Sequence, residues 1–279
     1  MSRLLNRTIP WIRGKRIGLS LPRRFVVDLL HFSKQIPSVP MERRMDLWEL
    51  VEARARSHSK VSWAAIFLKA YAIVSARTQE LRRTYLSLPW GHLYEHPQNV
   101  ASIGIERTYG GEEGVFFLKI TGPERLPLAN IDELIRAHKE ADFEDVKSFR
   151  AALWISSLPL PVRRLLWWLG LEADGGCKAY NFGTYGVSAA SSQGAAGLHI
   201  LSPLATTLNY SRFDQDGRIE VRLTYDHRVL DGGTVARALV ELEQVLRTAI
   251  AEELQTLEAT FSLADVTINK QPQPTQLLT

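Results

Sequence analysis

The 279-residue chain contains one cysteine, Cys177. A single thiol excludes an intrachain disulfide and fits a reducing compartment. No histidine stands near Cys177 in the sequence to activate it, so an incidental or buried thiol is the simpler reading. Acidic residues are missing from the first 24 positions, which hold Arg3, Arg7, Arg13, Lys15, Arg16, Arg23 and Arg24. That cluster suits cofactor phosphates, an acidic carrier protein or an anionic membrane surface, or it is a solvated arm. No apolar run of the secretory kind follows it, which argues against export. A net charge of +4 is too small to demand nucleic acid, and aromatic and basic residues do not interleave as nucleic-acid binders require. No repeat is visible. What remains, 45% hydrophobic and 23% charged residues, can bury the core of one sizeable domain.

The chain is organised around Tyr225-Asp226-His227-Arg228-Val229-Leu230-Asp231-Gly232-Gly233. Ahead of this stretch polar and apolar residues alternate, so Ile219, Val221, Leu223 and Tyr225 share one face of a strand. Behind it, Val235, Leu239, Leu242, Leu246 and Ile250 recur at helical spacing. A strand therefore hands over to an amphipathic helix through a tight turn carrying His227, and Gly232 and Gly233 are expected to relieve that turn. Imidazole titrates near neutral pH, so His227 can accept a proton from a thiol or hydroxyl attacking a carbonyl. Asp231 suits an orienting role, capping the helix or pairing with an arginine. The plain alternative is a polar histidine in an ordinary connection.

Elsewhere the pattern alternates helices and strands. Residues 23–35 are helix-like, residues 37–46 extended, and residues 47–58 helical again. Ser62 reads as the N-cap of an apolar helix over residues 63–77 that should be buried against a sheet. Short strands and hairpins are expected between Leu86 and Ile120, broken by Pro89, Pro97 and Gly110-Gly111. His92 and His96 are four apart, but Pro89, Gly91 and Pro97 argue against a helix there and no third ligand is apparent, so no metal site is expected. Asn130 is the expected cap of a polar helix to about Ala141, and residues 146–156 form another helix. The segment from Leu158 to Leu171 is rich in leucine and tryptophan. Its prolines and arginines make it too interrupted to span a bilayer. It is core, a subunit contact, the wall of a pocket for a long acyl chain, or an interfacial helix dipping Leu165, Leu166, Trp167 and Trp168 into a membrane. Leu204 to Phe213 reads as a strand, Asp214 to Gly217 as a hairpin turn, and the polar, proline-bearing end as a disordered tail.

Asp226-His-Arg-Val-Leu-Asp-Gly-Gly233 resembles the D-H-R-x-x-D-G signature of the catalytic domain of dihydrolipoyl acyltransferases, the acyltransferase components of 2-oxoacid dehydrogenase complexes. Chloramphenicol acetyltransferase carries a similar H-x-x-x-D-G. The likeness extends over residues 20–255, through Ser33-Lys-Gln-Ile-Pro37, through Met45 to Arg54, and through Ser62 to Lys69-Ala70. Four ordered matches make chance a poor explanation. The resemblance implies a two-layer α/β sandwich with a mixed β-sheet, chloramphenicol acetyltransferase-like, spanning residues 21–257 between a basic arm (1–20) and a tail (258–279). It further implies a homotrimer with the active site in a channel between subunits. By the same resemblance Ser188, in Tyr185-Gly-Val-Ser188, hydrogen-bonds the oxyanion, with Ser191 or Ser192 as alternatives. Arg23 pairs with Asp231, with Arg24 as a competitor.

The first 20 residues cannot hold the lipoyl and subunit-binding domains of that family, so no lipoyl attachment is expected in this chain. The acyl group is then expected from outside, as acyl-coenzyme A, on an acyl carrier protein, or on a separate lipoyl protein. These readings converge on a stand-alone, cytoplasmic acyltransferase using coenzyme A or another thioester, with His227 as base and no metal. A non-catalytic trimeric scaffold, and a peripheral enzyme at the inner face of the membrane acylating a lipid through the Trp167/Trp168 segment, are the alternatives.

Overall fold

A computed structural model describes residues 15–57, 60–188 and 197–257 of the chain. The basic arm up to residue 14, Ser191, Ser192 and the tail after residue 257 lie outside the described residues.

Helix α1 (Leu21–Ser33) starts where the Ser20 hydroxyl accepts the Arg23 amide at 3.2 Å, with Pro22 in the first turn, where a missing N–H costs nothing. Strand β1 (Ser38–Asp46) follows, then α2 (Trp48–Arg56) and α3 (Trp63–Arg77). Ser62 caps α3 as its sequence suggests, its hydroxyl accepting the Ala65 amide at 3.3 Å. The chain continues through β2 (Arg83–Leu86), β3 (His92–Glu95), β4 (Val100–Tyr109), β5 (Glu112–Thr121), α4 (Leu128–Glu140) and α5 (Lys147–Ser157). It ends with α6 (Leu160–Glu172), α7 (Gly175–Phe182), β6 (Tyr185–Ser188), β7 (Thr206–Tyr210), β8 (Arg218–Asp226) and α8 (Gly232–Val245). Beyond α8 the helix loosens into a π turn over Leu246–Ile250.

Six strands form one mixed sheet in the order β1-β8-β7-β6-β4-β5, and β2 and β3 pair separately. The β4–β6 and β6–β7 pairs are parallel and the rest antiparallel. This is the two-layer arrangement with a mixed sheet that the motif resemblance implies. The period of two along β8 decides which residues enter the core. Ile219, Val221, Leu223 and Tyr225 pack with α3 and α8, while Arg222, Thr224 and Asp226 stand on the opposite face. Burying each of those large apolar side chains contributes about 1.5–3 kcal/mol.

Helix α3 is nearly apolar all round and is buried from Ala64 to Ser75 apart from the half-buried Ile73, between the sheet, α4 and α8, with its last turn reaching solvent. On the other face of the sheet, α1, α5, α6 and α7 cover only the β4–β5 end, as a partial third layer. The hairpin between β7 and β8 turns at Gly217, whose φ is +73° and where a Cβ would come within 2.7 Å of Trp48 Cα, so no side chain is admitted. One expectation is corrected. Asn130 does not cap α4, which begins at Leu128 straight after Pro127, so Asn130 lies inside its first turn. Helix α7 was not anticipated, because Gly175 and Gly176 open it where a loop reads more naturally; Asp174 caps it by accepting the Cys177 amide at 2.8 Å.

Candidate active site

At the end of β8 the chain is pinned from both sides. The Asp226 amide donates to Ala205 O at 2.8 Å and the His227 amide to Pro37 O at 3.0 Å, tying the turn to its neighbours on the β7 and β1 sides. Asp226 O then accepts the amides of Val229 and Leu230, which folds the backbone back on itself. The buried Asp226 carboxylate takes the Arg228 guanidinium through both oxygens, and that guanidinium lies 4.4 Å over the Tyr85 ring. His227 therefore rides on a rigid turn while its own ring is exposed, its nearest aromatic neighbour being Tyr225 at 5.5 Å.

Gly232 and Gly233 open α8 without positive φ, so the turn does not need their conformational freedom; the two bonds accepted by Asp226 O make it instead. Asp231 is exposed at the N-cap of α8, and its carboxylate accepts no capping bond; its carbonyl receives the amides of Thr234 and Val235. Arg23 is exposed on α1, and no ion pair joins it to Asp231 within the chain. Its competitor Arg24 donates to Leu19 O at 3.1 Å.

Ser188 lies elsewhere, on the outward face of the sheet, lining a cavity of about 640 Å³. The register arranges that face in rows. One row runs Phe117–Gly104 across β5 and β4, and in the next strands Ser188, Asn209, Arg222 and Glu42 pair in sequence. A second runs Lys119–Ser102–Gly186–Thr207–Thr224. The β4–β5 end of the face is apolar and roofed by Phe25 and Leu29 of α1, Ala152 of α5, and Leu166 and Trp167 of α6. The β7–β8 end is polar. There Thr207 Oγ1, Asn209 Oδ1, Arg222 Nη1 and Thr224 Oγ1 are buried with no hydrogen-bond partner. Unpaired polar groups of this kind are costly in a closed interior; Arg222 offsets part of that cost through its Nε bond to Glu42 at 2.5 Å, and Asn209 through its amide bond to Gly197 O at 2.5 Å.

Trp167 is buried against Phe25, Phe32 and Phe182, so it belongs to the cavity wall and is not available to a membrane, whereas Trp168 is 38% exposed. The roof is anchored by Asp28, fully buried between Arg163 and Arg164 of α6. Cys177 proves exposed and lines the cavity, accepting a contact from Asn181 Nδ2 at 3.2 Å.

A second buried polar group sits behind the His227 turn. Lys178 of α7 reaches towards Tyr85 O at 3.4 Å, near Glu172, Asp226 and Arg228, and burial pulls its pKa down to about 8. His96 beside it is held to about 4, chiefly by burial and then by the charge of Lys178. His92 bonds Trp90 O, and no group of three or more metal-ligating side chains occurs among the described residues. Sequence reasoning missed Tyr85, Lys178 and His199, whose Nε2 lies 2.8 Å from Ser38 Oγ on the strand beside Asp226. Only Arg228 was visible, inside Asp-His-Arg.

No family model matches the chain, and no curated protein matches it. Solved structures do share its fold. The chain is similar to a probable dihydrolipoamide acetyltransferase from Listeria monocytogenes 4b F2365, at 21% identity and a TM-score of 0.57, over 86% of this chain and 95% of that one. It is similar to the dihydrolipoamide acetyltransferase of Azotobacter vinelandii at 16% identity and a TM-score of 0.61, over 90% of this chain and 99% of that one. That structure was studied for the roles of a serine, a histidine and an asparagine in the catalytic mechanism. A chloramphenicol acetyltransferase matches at 14% identity and a TM-score of 0.50, over 82% of this chain and 96% of that one. What these likenesses establish is the fold.

Proposed function

We propose that a chain with this acyltransferase-core fold is itself an acyltransferase, moving an acyl group between a thioester donor and a thiol or hydroxyl acceptor. One observation carries the reading. His227 is held on a stiff turn with its ring exposed, while Ser188 lines a cavity to which no histidine contributes. Each half supplies what the other lacks. In a homotrimer, the His227 turn of one copy would enter the cavity of the next on the side of β6 and β7, where Ser188 and Thr207 line it. His227 would take the proton of the attacking thiol or hydroxyl, and the Ser188 hydroxyl would donate to the oxyanion of the tetrahedral intermediate. A preorganised donor in a dry cleft lowers such a barrier by about 3–4 kcal/mol. A serine and a histidine were studied in the Azotobacter enzyme's mechanism, and this reading gives Ser188 and His227 the corresponding parts; Asp231 would then hold the turn across the subunit boundary, with Arg23 as its partner there. The donor is acyl-coenzyme A, an acyl carrier protein, or a separate lipoyl protein.

Mixed-subunit complementation tests this. His227→Ala and Ser188→Ala, each alone, should lower turnover of acyl-coenzyme A with small thiol and alcohol acceptors by about a hundredfold or more. Co-expressed, the two variants should regain a fraction of wild-type activity, because some interfaces then hold both groups. Full activity of His227→Ala would remove it from the mechanism, and no regain would confine the site to one chain.

A peripheral membrane role is the second reading, favoured by the exposed Trp154, Leu160, Val162, Leu165, Trp168 and Leu169 on α5 and α6, with no acid between residues 147 and 171. No helix among the described residues is long and apolar enough to cross a membrane. Co-sedimentation of wild type, but not of a Leu165→Ser/Trp168→Ser double variant, with anionic vesicles would support it.

A further inference from the structure

The cavity roofed by α1, α5 and α6 is lined mainly by apolar residues and carries a single charge. Of the residues that line it, only Lys119 is charged, and none is acidic. Lys119 stands on β5 and lines the same cavity as Phe117, Trp167 and Leu166. It donates to Asn181 O at 3.2 Å and lies 5.5 Å from the centre of the Tyr180 ring. An ammonium has three donors, so a single carbonyl leaves it underused. No ion pair joins it to an acid among the described residues, in contrast to Lys69, which meets Glu253. Lys119 is half-buried, and partial burial without an anion beside it lowers its pKa. Lys119 pairs with Ser102, Ser102 pairs with Gly186, and Ser188 stands two residues further along β6. With strands about 4.8 Å apart and about 3.3 Å of rise per residue, the Lys119 and Ser188 Cα atoms are roughly 12 Å apart.

We propose that the cavity binds an amphipathic carboxylate, its apolar body against Phe117, Leu166 and Trp167, its anionic head on Lys119, and its far end towards Ser188. The inference rests on the reading of this cavity as the substrate pocket. A cavity of about 640 Å³ suits a ligand of this size, and such pockets characteristically pair an apolar lining with one or two polar groups that fix orientation. One cation in an apolar lining selects for one negative charge, because an uncharged head would leave the ammonium without an anion and a cationic head would repel it.

The test is a binding titration with dodecanoate, dodecanol and dodecylamine, read by tryptophan emission, since Trp154 and Trp167 line the cavity. Wild type should bind dodecanoate about tenfold more tightly than dodecanol, with dodecylamine weakest. Lys119→Met should bind dodecanoate and dodecanol equally and keep the wild-type affinity for dodecanol, which shows the pocket intact. Lys119→Arg should keep the preference. Equal affinities in wild type, a preference that survives Lys119→Met, or failure of all three ligands to bind each overturns the proposal. His227→Ala, titrated alongside, separates this inference from the proposed function: the headgroup preference judges the ligand class, and loss of turnover judges the base.

Discussion

Arg228 closes on Asp226 through both carboxylate oxygens, Nη2 to Oδ2 at 2.7 Å and Nε to Oδ1 at 3.0 Å, with His227 carried between them. The Asp226 side chain is almost fully buried, and the guanidinium is fixed from its other side by Tyr85. The pair acts as a clamp on the backbone that presents the imidazole.

Breaking the clamp should cost both stability and turnover. Arg228→Met strands a buried carboxylate, with an expected loss of about 3 kcal/mol or more in a denaturant titration. Arg228→Lys should recover little, because an ammonium cannot make the two parallel bonds or lie flat on Tyr85. Wild-type turnover in either variant would mean that the turn holds its shape without the pair.

Stability should depend on pH through the two groups behind that turn. His96 falls from 6.5 to about 4 in the folded protein, so the unfolded chain takes up the proton first, and stability is lost as pH drops from about 6.5 towards 4. Lys178 falls from 10.5 to about 8, so below about 8 folding bears the full cost of a buried charge, and stability rises as pH climbs from about 8 towards 10.5. Melting temperatures of His96→Phe and Lys178→Met across pH should each lose one of these slopes. An unchanged slope in either variant would assign the effect to other groups.

Asp28 holds the cavity roof in place. Asp28→Asn leaves Arg163 and Arg164 without their buried anion and should destabilise the chain by about 3–5 kcal/mol, read as a lowered melting temperature. Because those arginines belong to α6, the same variant should weaken dodecanol binding in the cavity. Unaltered melting would mean that the arginines find solvent instead.

Gly217→Ala should also destabilise, by about 1 kcal/mol or more, because its φ is +73° and the new methyl would lie 2.7 Å from Trp48 Cα. A neutral effect on the melting temperature would show that α2 can move aside at little cost.

Local pattern was legible wherever a residue's neighbours in sequence decide its state. Ser62 capping α3, the alternation along β8 and the Asp214–Gly217 turn all depend on short-range sterics and hydrogen bonds, and each appears where the sequence puts it. The capping of α4 was misread because Pro127 starts a helix by fixing its own backbone, a signal that outweighed the nearby Asn130. Tyr85, Lys178 and His199 were invisible as parts of a site, since they reach the His227 turn only after strands and helices distant in sequence have packed.

The sequence by itself determined the order of elements, the strand-to-helix turn that bears His227, and the apolar character of α3 and α6, because periodicity and turn chemistry are local properties. Tertiary structure alone decided that His227 faces outward, that Ser188 opens into a cavity away from it, and that Lys119 is the one charge among the residues lining that cavity. Those facts follow from strand register and from which helix covers which end of the sheet. Both are fixed by burial across the whole chain.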